Sequence, residues 1–285
     1  MAAPFRDDLT NGPRLLYPAK AAITRARSAV WSIRRRPPLP SQGLRILFYH
    51  RISDDRDELA VTPRRFREQM HTLASLGARG VDLVTATESR LSSAHPLPLV
   101  GLSFDDAYRD VAEHAVPVLR ELGFSATMFV PTGLIAGGAF GSRPGPPRLS
   151  WDEMRELDAE GVLRMEAHTI THPNLLALDE TEVHHELAGS RAELEAQLGR
   201  TVTALAYPAG LAGVREASLA RAAGFQSAFT CEPGLSDEHT DSLMLSRTQI
   251  DARDNLLDFR AKLGGGHDSP LPLRRLYRRR RFGAQ

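Results

Sequence analysis

Cysteine is almost missing from this sequence of 285 residues, in which Cys231 is the only one. A single cysteine excludes an intramolecular disulfide and a zinc site built from cysteine thiolates. The sequence also lacks the G-x-x-x-x-G-K pattern and the dinucleotide fingerprint, so these phosphate-binding motifs do not guide its interpretation. Hydrophobic residues make up 42% and charged residues 25% of the chain. These are ordinary values for globular proteins and exclude a wholly disordered chain.

No stretch has the pattern of a secretory signal peptide or of a membrane-spanning helix. The first apolar stretch is interrupted by Lys20, Arg25 and Arg27, and no small-residue cleavage site follows it. The longest uncharged run, residues 122–142, contains Pro131 and several glycines, which is unfavourable for a transmembrane helix. We therefore expect a cytoplasmic protein, with peripheral contact to the inner face of the membrane as an additional hypothesis.

Charge is distributed unevenly, although the net charge of the chain is only +1. Residues 1–43 carry eight Lys or Arg and two Asp, and residues 271–285 carry six Arg and no acid. Each end therefore has a net charge of +6, which leaves −11 on residues 44–270. The basic ends favour contact with an anionic membrane, whereas the acidic body argues against nucleic acid as a partner. Solvated termini are the alternative interpretation.

The composition predicts three segments. Residues 1–43 are a basic appendage with a proline-rich linker, residues 44–262 are the main domain, and residues 263–285 are a basic, flexible tail. Within the appendage, residues 21–33 favour a short helix whose apolar side could contact anionic lipid. A solvated, partly ordered leader is the alternative for this stretch.

Strand-like and helix-like patterns alternate through residues 44–260. The sequence predicts buried strands at residues 44–49 and 97–104, a short strand at 81–84, and a helix at 62–76 that opens with Thr-Pro. This alternation predicts an α/β fold in which helices cover a largely parallel sheet, either open or closed into a barrel.

Two adjacent carboxylates, Asp105 and Asp106, end the apolar strand predicted at residues 97–104. Ligand sites of parallel α/β folds lie beyond the carboxyl ends of the strands. Two charges at a strand end cost desolvation free energy unless they are paired or bind a metal. One carboxylate could bind a cation while the other acts as a base. For an isolated Asp-Asp pair, a solvated turn would be the commoner interpretation.

Two further segments follow predicted strands. In the first, residues 168–173, His168 and His172 are four residues apart and can face one metal ion, since neutral imidazole is a common nitrogen ligand. Two unrelated surface histidines are the alternative. In the second, residues 205–210, a strand ends in Tyr207 and a Pro-Ala-Gly turn, which by itself indicates only a turn.

Taken together, these segments resemble the NodB-type polysaccharide deacetylases, carbohydrate esterase family four, over roughly residues 44–260. Residues 47–50, 66–77, 126–130 and 149–151 fit the resemblance as well. The resemblance implies a distorted, incomplete (β/α) barrel and a metal-dependent hydrolase that removes N-acetyl groups from amino sugars. The A-Y-P turn resembles the subgroup of poly-N-acetylglucosamine deacetylases.

The resemblance also implies roles for individual residues. Asp106, His168 and His172 would bind one divalent transition metal, for which Zn²⁺ is the default and Co²⁺, Ni²⁺ or Fe²⁺ remain open. Asp105 would be the general base. The backbone N–H of Ala209 would hold the oxyanion, and Tyr207 beside it is a further candidate for substrate contact.

The chain departs from the commonest family pattern in two places. Ala206 stands where many members carry an arginine that orients the base, and no late Leu-x-His supplies an acid. The poly-N-acetylglucosamine subgroup takes its acid from an early Tyr-His, which makes His50 the candidate acid. Arg247 lies where that subgroup keeps an arginine, and it could pair with Asp105. The alternative for His50 is a histidine that only forms hydrogen bonds to nearby backbone. The alternative for Arg247 is an ordinary surface ion pair.

The expected substrate is an N-acetylated glycan in a polysaccharide, an oligosaccharide or a lipid-linked sugar. A catalytically silent carbohydrate-binding relative and a deformylase of a lipid-linked aminosugar remain open alternatives. We interpret residues 184–186, His-His-Glu on a long charged helix, as facing solvent. Residues 135–148 are expected to line the pocket and set its specificity.

Overall fold

The computed structural model describes residues 17–33, 39, 43–90, 98–135 and 145–268. Most of the expected linker, much of the expected specificity loop and the tail from residue 269 lie outside this part of the chain. The described helices are α1 (Tyr17–Ile33), α2 (Pro63–Ser75), α3 (Leu83–Arg90), α4 (Val116–Leu122), α5 (Trp151–Glu160), α6 (Glu180–Leu198), α7 (Val214–Ala222) and α8 (Leu256–Leu263). None of these helices combines the length and the apolar character that crossing a bilayer requires.

The described strands are β1 (Arg45–Tyr49), β2 (Arg51–Ile52), β3 (Ala60–Val61), β4 (Arg79–Val81), β5 (Leu99–Asp105), β6 (Ala126–Val130), β7 (Leu163–Ala167), β8 (Ala204–Ala206), β9 (Ser227–Phe229) and β10 (Thr248–Gln249). All except β2 and β3 belong to one parallel sheet with the order β10-β1-β5-β6-β7-β8-β9. The additional strand, β4, pairs with the first half of β5, and β6 pairs with the second half of β5 along the same edge.

The two ends of the sheet approach each other through residues 242–249. Phe229 at the end of β9 is bridged to Leu245, and the N–H of Thr230 donates to the Leu245 carbonyl at 2.8 Å. Three residues later, Thr248 of β10 pairs with Leu47 of β1. The sheet is therefore curled into a distorted, incomplete (β/α) barrel, as the family resemblance implies.

The core has two layers because strand side chains alternate between the faces of the sheet. Leu102 and Phe104 of β5 point outward into the large cluster that the helices cover. A smaller cluster fills the inside of the barrel, where Phe129 and Phe229 meet Leu83 of α3. The odd-numbered residues of β5 lie on the same inner face as this cluster, and the last of them is Asp105. A buried carboxylate therefore projects into an apolar interior.

The short strand expected at residues 81–84 is wrong beyond Val81. The side chain of Asp82 accepts hydrogen bonds from the N–H groups of Val84 (3.1 Å) and Thr85 (3.0 Å). A carboxylate in this position satisfies the unpaired donors of a helix N-terminus and starts a helix. The cap therefore begins α3 where the β-branched residues alone suggest a strand.

The appendage helix α1 packs against α8 and the turn that follows it. The Ser28 hydroxyl donates to Asp258 Oδ1 at 2.7 Å and lies 3.0 Å from His267 Nε2. The indole N–H of Trp31 donates to the Gly264 carbonyl at 3.3 Å. These contacts hold the described part of the appendage on the body.

The expected start of a flexible tail at residue 263 needs correction. Asp268 forms a bidentate pair with the buried Arg45, with N–O distances of 2.8 and 2.6 Å. His267 is also buried. Residues 263–268 therefore belong to the packed body, because their side chains are engaged by β1 and α1.

We expect the contact between α1 and α8 to weaken in acid. Burial, assisted by Lys262 and Arg27, lowers the pKa of His267 from 6.5 to about 4. The unfolded chain then binds the proton more readily, so the free energy of unfolding decreases as the pH falls from 6.5 towards 4. Denaturant unfolding at several pH values should show a smaller acid-dependent loss in His267→Gln than in the wild type.

The exposed His239 provides the matched control for this experiment, since its side chain is 86% exposed. His239→Gln should follow the wild type at every pH. Equal acid sensitivity of His267→Gln and the wild type would contradict the assignment to His267.

Candidate metal centre

The candidate site lies at one end of the barrel, where loops follow several parallel strands. The sheet gathers there side chains that are far apart in the sequence. The residues predicted as metal ligands are Asp106 at the end of β5, and His168 and His172 after β7. His50 follows β1, Ala209 follows β8, and Arg247 immediately precedes β10.

Asp106, His168 and His172 form a compact, buried cluster. Their potential ligand atoms all lie within 4.8 Å of one another. Asp106 Oδ1 is 3.9 Å from the Nε2 atom of each histidine, which is too long for a hydrogen bond. One ion with bonds of about 2.0–2.2 Å to each atom can span this distance. Asp106 Oδ1 is also buried without a hydrogen-bond partner, which favours a bound cation since an unsatisfied buried acceptor is costly.

His168 is held in the state that a metal ligand needs. Its Nδ1 lies 2.7 Å from the carbonyl oxygen of Ala206. A carbonyl only accepts, so Nδ1 carries the hydrogen and Nε2 keeps its lone pair. Burial, reinforced by His172, lowers the pKa of His168 to about 4. The imidazole is therefore neutral at neutral pH.

The backbone of the site loops is strained. Among the described residues, five non-glycine residues have a positive φ, and all five lie in the loops after β5, β7 and β8. They are Asp106 (76°), Ala107 (55°), Thr169 (66°), His172 (57°) and Ala209 (53°). Such conformations cost on the order of 1 kcal/mol each and persist where surrounding contacts enforce them. Two metal-ligand candidates are thus fixed by their backbone as well as by their side chains.

Contacts from neighbouring segments support the strained loop after β5. Arg148 Nε donates to the Asp106 carbonyl at 3.0 Å, and the N–H of Leu149 donates to the Ala107 carbonyl at 2.9 Å. Arg148 also lies over the ring of Tyr108. The end of the expected specificity loop therefore supports the carboxylate loop, whereas residues 136–144 lie outside the described part of the chain.

Glu186 holds the loop between the two histidines, a role the solvent-facing interpretation of residues 184–186 missed. Its carboxylate accepts the N–H groups of Ile170 (2.8 Å) and Thr171 (2.9 Å) and the Thr171 hydroxyl (2.7 Å). His184 and His185 are exposed as expected, but Glu186 is buried. The burial of Glu186 could have been predicted from the helical periodicity, because Glu186 follows Val183 by three residues and lies on the same buried face of α6.

Thr169 completes the support of this loop. The N–H of His172 donates to the Thr169 hydroxyl at 3.1 Å. The hydroxyl thereby closes a local turn around the second histidine, which helps to fix the position of this imidazole.

Asp105 and Arg247 form a fully buried bidentate ion pair. The N–O distances are 2.6 Å and 2.8 Å. The guanidinium lies between the rings of Phe48 (4.5 Å) and Phe129 (5.2 Å), and its Nε donates to the Thr230 carbonyl. Burial alone would raise the pKa of Asp105, but the charge and hydrogen bonds of Arg247, together with the nearby His168 and His50, outweigh it and hold the pKa below its usual value. Asp105 is therefore an ionised carboxylate.

His50 lies near this pair at the end of β1. It is 3% exposed, and its Nδ1 is buried without a hydrogen-bond partner. This ring nitrogen therefore forms no bond to nearby backbone. The imidazole thus has unused hydrogen-bonding capacity beside the candidate site.

The turn after β8 brings backbone close to the site. Ala209 is buried and left-handed, and the following Gly210 also has a positive φ of 63°. A Cβ atom at Gly210 would lie 2.1 Å from the backbone nitrogen of Cys231. Close packing therefore requires a glycine at position 210, where Cys231 packs directly against the backbone of the turn.

The side chain of Tyr207 does not join the site, which corrects its expected role in substrate contact. Its hydroxyl is directed into the core, where it donates to the Leu243 carbonyl at 3.0 Å. Burial, together with the negative charge of Asp241, raises the pKa of this phenol. Strand side chains alternate between the two faces of the sheet. Ala206 therefore faces the inside of the barrel, and Tyr207 faces the outer layer of the core that the helices cover.

Comparison with known proteins finds a family match. Residues 93–228 match the family model described as Polysaccharide deacetylase. YxkH of Bacillus subtilis, named provisionally as a polysaccharide deacetylase, is 28% identical over 208 residues, which cover 73% of this chain and 71% of YxkH. A poly-β-1,6-N-acetyl-D-glucosamine N-deacetylase of Staphylococcus aureus is 22% identical over 70% of this chain and 72% of its own.

Solved structures show the same fold. The deacetylase PplD of Streptococcus pyogenes has a TM-score of 0.66 and 24% identity, over 76% of this chain and 98% of PplD. IcaB of Ammonifex degensii has a TM-score of 0.64 and 25% identity, over 81% of this chain and 99% of IcaB. Nearly the whole of each of these two structures is thus matched by this chain.

We expect the Asp106–His168–His172 cluster to bind about one divalent transition metal per chain. Elemental analysis after dialysis against Zn²⁺, Co²⁺ or Ni²⁺ measures this. His168→Ala and Asp106→Asn should each remove most of the bound metal, because they delete one of three ligands. The exposed His184 is the control, and His184→Ala should retain the ion. Equal metal content in His168→Ala and the wild type would contradict the assignment.

We also expect Glu186 to set metal affinity through the loop that it holds. In Glu186→Ala the loop loses three hydrogen bonds, so affinity measured by chelator competition should fall about 10–100-fold. Glu186→Gln should remain close to the wild type, because its amide oxygen can accept both N–H groups while its nitrogen donates to Thr171. His185→Ala on the exposed face is the control. Unchanged affinity in Glu186→Ala would show that the loop keeps its conformation unaided.

Proposed function

Since this chain carries a polysaccharide deacetylase domain of the NodB type, we propose that it is a metal-dependent hydrolase that removes the N-acetyl group from N-acetylglucosamine units of a glycan. The observation that carries the proposal is the position of Asp106. Its buried, unpartnered oxygen lies 3.9 Å from two imidazole nitrogens, and the adjacent Asp105 is held ionised. Two imidazoles and one carboxylate are a ligand set that leaves coordination positions open for reaction.

The metal would be held by Asp106, His168 and His172. When bound, a divalent transition metal polarises the amide carbonyl and lowers the pKa of water towards about 7. The ligand set fits Zn²⁺ best, and Co²⁺, Ni²⁺ and Fe²⁺ share its preference for imidazole.

Asp105 is the proposed general base. Each of its oxygens accepts one N–H of Arg247 and retains a second lone pair, so the ion pair orients the carboxylate without saturating it. Arg247 thereby performs the orienting role that Ala206 does not. The apolar rings of Phe48 and Phe129 around the guanidinium exclude water and keep the carboxylate in one position.

His50 and Ala209 complete the proposed machinery. His50, in its protonated form, would donate a proton to the nitrogen of the departing amino sugar. At Ala209, in the strained turn after β8, the peptide N–H would stabilise the negative charge that develops on the acyl oxygen. Alanine serves as well as any residue there, because the donor is the backbone.

The substrate class rests on the relatives. The named activity of the Staphylococcus aureus protein is N-deacetylation of poly-β-1,6-N-acetyl-D-glucosamine, and the A-Y-P turn of this chain resembles that subgroup. N-acetylated glucosamine oligomers are therefore the first substrates to test, with acetate release as the readout.

We expect Asp105→Asn to lower kcat for acetate release about 10²–10⁴-fold, since it removes the base. This variant leaves Arg247 buried and unpaired, which is destabilising in itself. The double variant Asp105→Asn, Arg247→Met removes both charges and should fold more stably while remaining inactive. Metal content measured on both variants separates loss of the base from loss of the site.

The same experiment tests a catalytically silent, carbohydrate-binding relative. Such a protein would bind N-acetylglucosamine oligomers without releasing acetate. A metal-loaded wild type that binds oligomers but shows no turnover with acetylated or formylated aminosugars would overturn the proposed hydrolase.

A further inference from the structure

The outer face of α1 is apolar, the reverse of an ordinary surface helix. Ile23, Val30 and Ile33 are 63%, 49% and 80% exposed. With about 100° between successive residues, the three side chains fall within about 80° of arc and form one stripe. They are three of the six large hydrophobic side chains that the described residues expose. We call this stripe the α1 outer face.

The inner face of α1 fixes its orientation. Ser28 is fully buried and bonds to Asp258, whose side chain is 0% exposed. The ring of Trp31 packs so closely on Gly266 that a Cβ atom there would lie 2.8 Å from it. Rotation of the helix that turned the apolar stripe inward would break these contacts, including the hydrogen bond from Ser28 to the buried Asp258. The stripe therefore stays exposed while the helix is docked on the body.

Arginines lie beside the stripe, and arginine-rich sequence follows both α1 and the end of the described body. Arg25 and Arg27 flank the stripe and donate to the carbonyls of Arg253 (3.3 Å) and Gly266 (3.4 Å). The sequence continues from Ile33 directly into three arginines, residues 34–36. The described body ends at Asp268, two residues after Gly266, and the sequence beyond it carries six arginines and no acid. Both arginine-rich stretches therefore continue from points close to the C-terminal end of α1.

We propose that the α1 outer face docks on an anionic phospholipid surface. Apolar side chains of a surface-lying helix enter the boundary between headgroups and acyl chains, and nearby arginines are attracted by anionic headgroups. Charge favours this occupant, because a symmetric contact with α1 of a second copy, or contact with the chain's own arginine-rich end, would bring like charges together. The proposal is independent of the proposed deacetylase activity.

Sedimentation of the full chain with large unilamellar vesicles tests the proposal. The wild type should sediment with vesicles that contain phosphatidylglycerol, and much less with vesicles of phosphatidylcholine alone. The double variant Ile23→Ser, Ile33→Ser should lower the vesicle partition coefficient about tenfold or more, because it removes most of the exposed apolar surface of the stripe. Val214→Ser is the matched control, since Val214 is 90% exposed on a different helix, α7, and should bind as the wild type does.

Three results would overturn the proposal. The first is a wild type that fails to sediment with anionic vesicles. The second is a double variant that binds them as well as the wild type, which would assign binding to arginine alone. The third is a wild type that elutes as a dimer, with a monomeric double variant, which would make the stripe an interface between copies. Circular dichroism and thermal unfolding of the double variant establish that it is folded.

Discussion

The buried ion pair between Asp105 and Arg247 is the contact on which the rest of the site depends. A carboxylate at the end of β5 projects into an interior lined by Phe129 and Phe229, where an isolated charge would be strongly unfavourable. Arg247 neutralises it and also bonds to the Thr230 carbonyl after β9. One side chain thus joins the central strand to the segment that connects the two ends of the sheet. The same contact serves the closure of the barrel and the orientation of the proposed base.

The strained loops follow from this arrangement. With Asp105 directed inward and paired, the next residue can reach the histidines only if the chain turns sharply, and Asp106 and Ala107 adopt left-handed conformations. Neighbouring segments stabilise each such turn. Arg148 bonds to the loop after β5, Glu186 to the loop between the histidines, and Cys231 packs behind Gly210. The site is therefore rigid without relying on regular secondary structure.

The fold and the ligand cluster could be predicted from sequence because their signals are local. One apolar strand ends in Asp-Asp, and another is followed by two histidines four residues apart. These patterns give the residue types of the ligands and indicate the edge of the sheet where the ligands come together. The helix period indicates that Glu186 is buried, but neither the loop that Glu186 holds nor the direction of Tyr207 could be predicted in this way. Glu186 depends on the packing of α6 beneath a loop, and the direction of Tyr207 depends on the register of β8. The start of α3 was missed for a different reason, since Asp82 acts as a cap only when the chain turns out of β4. Residues 263–268 join the body through a partner, Arg45, that lies 223 positions earlier.

Arg247 lies 142 positions after Asp105 in the sequence, which has a consequence for synthesis on the ribosome. Strands β5 to β8 and their covering helices are all made before Arg247 exists. At roughly 5–20 residues per second, the gap amounts to on the order of ten seconds. During that interval a nascent sheet that closed around Asp105 would bury an unpaired charge, so premature closure is opposed by electrostatics. Completion of the barrel is thereby coupled to the emergence of Arg247, so the carboxylate proposed as the base also opposes closure of the sheet until its partner has been made.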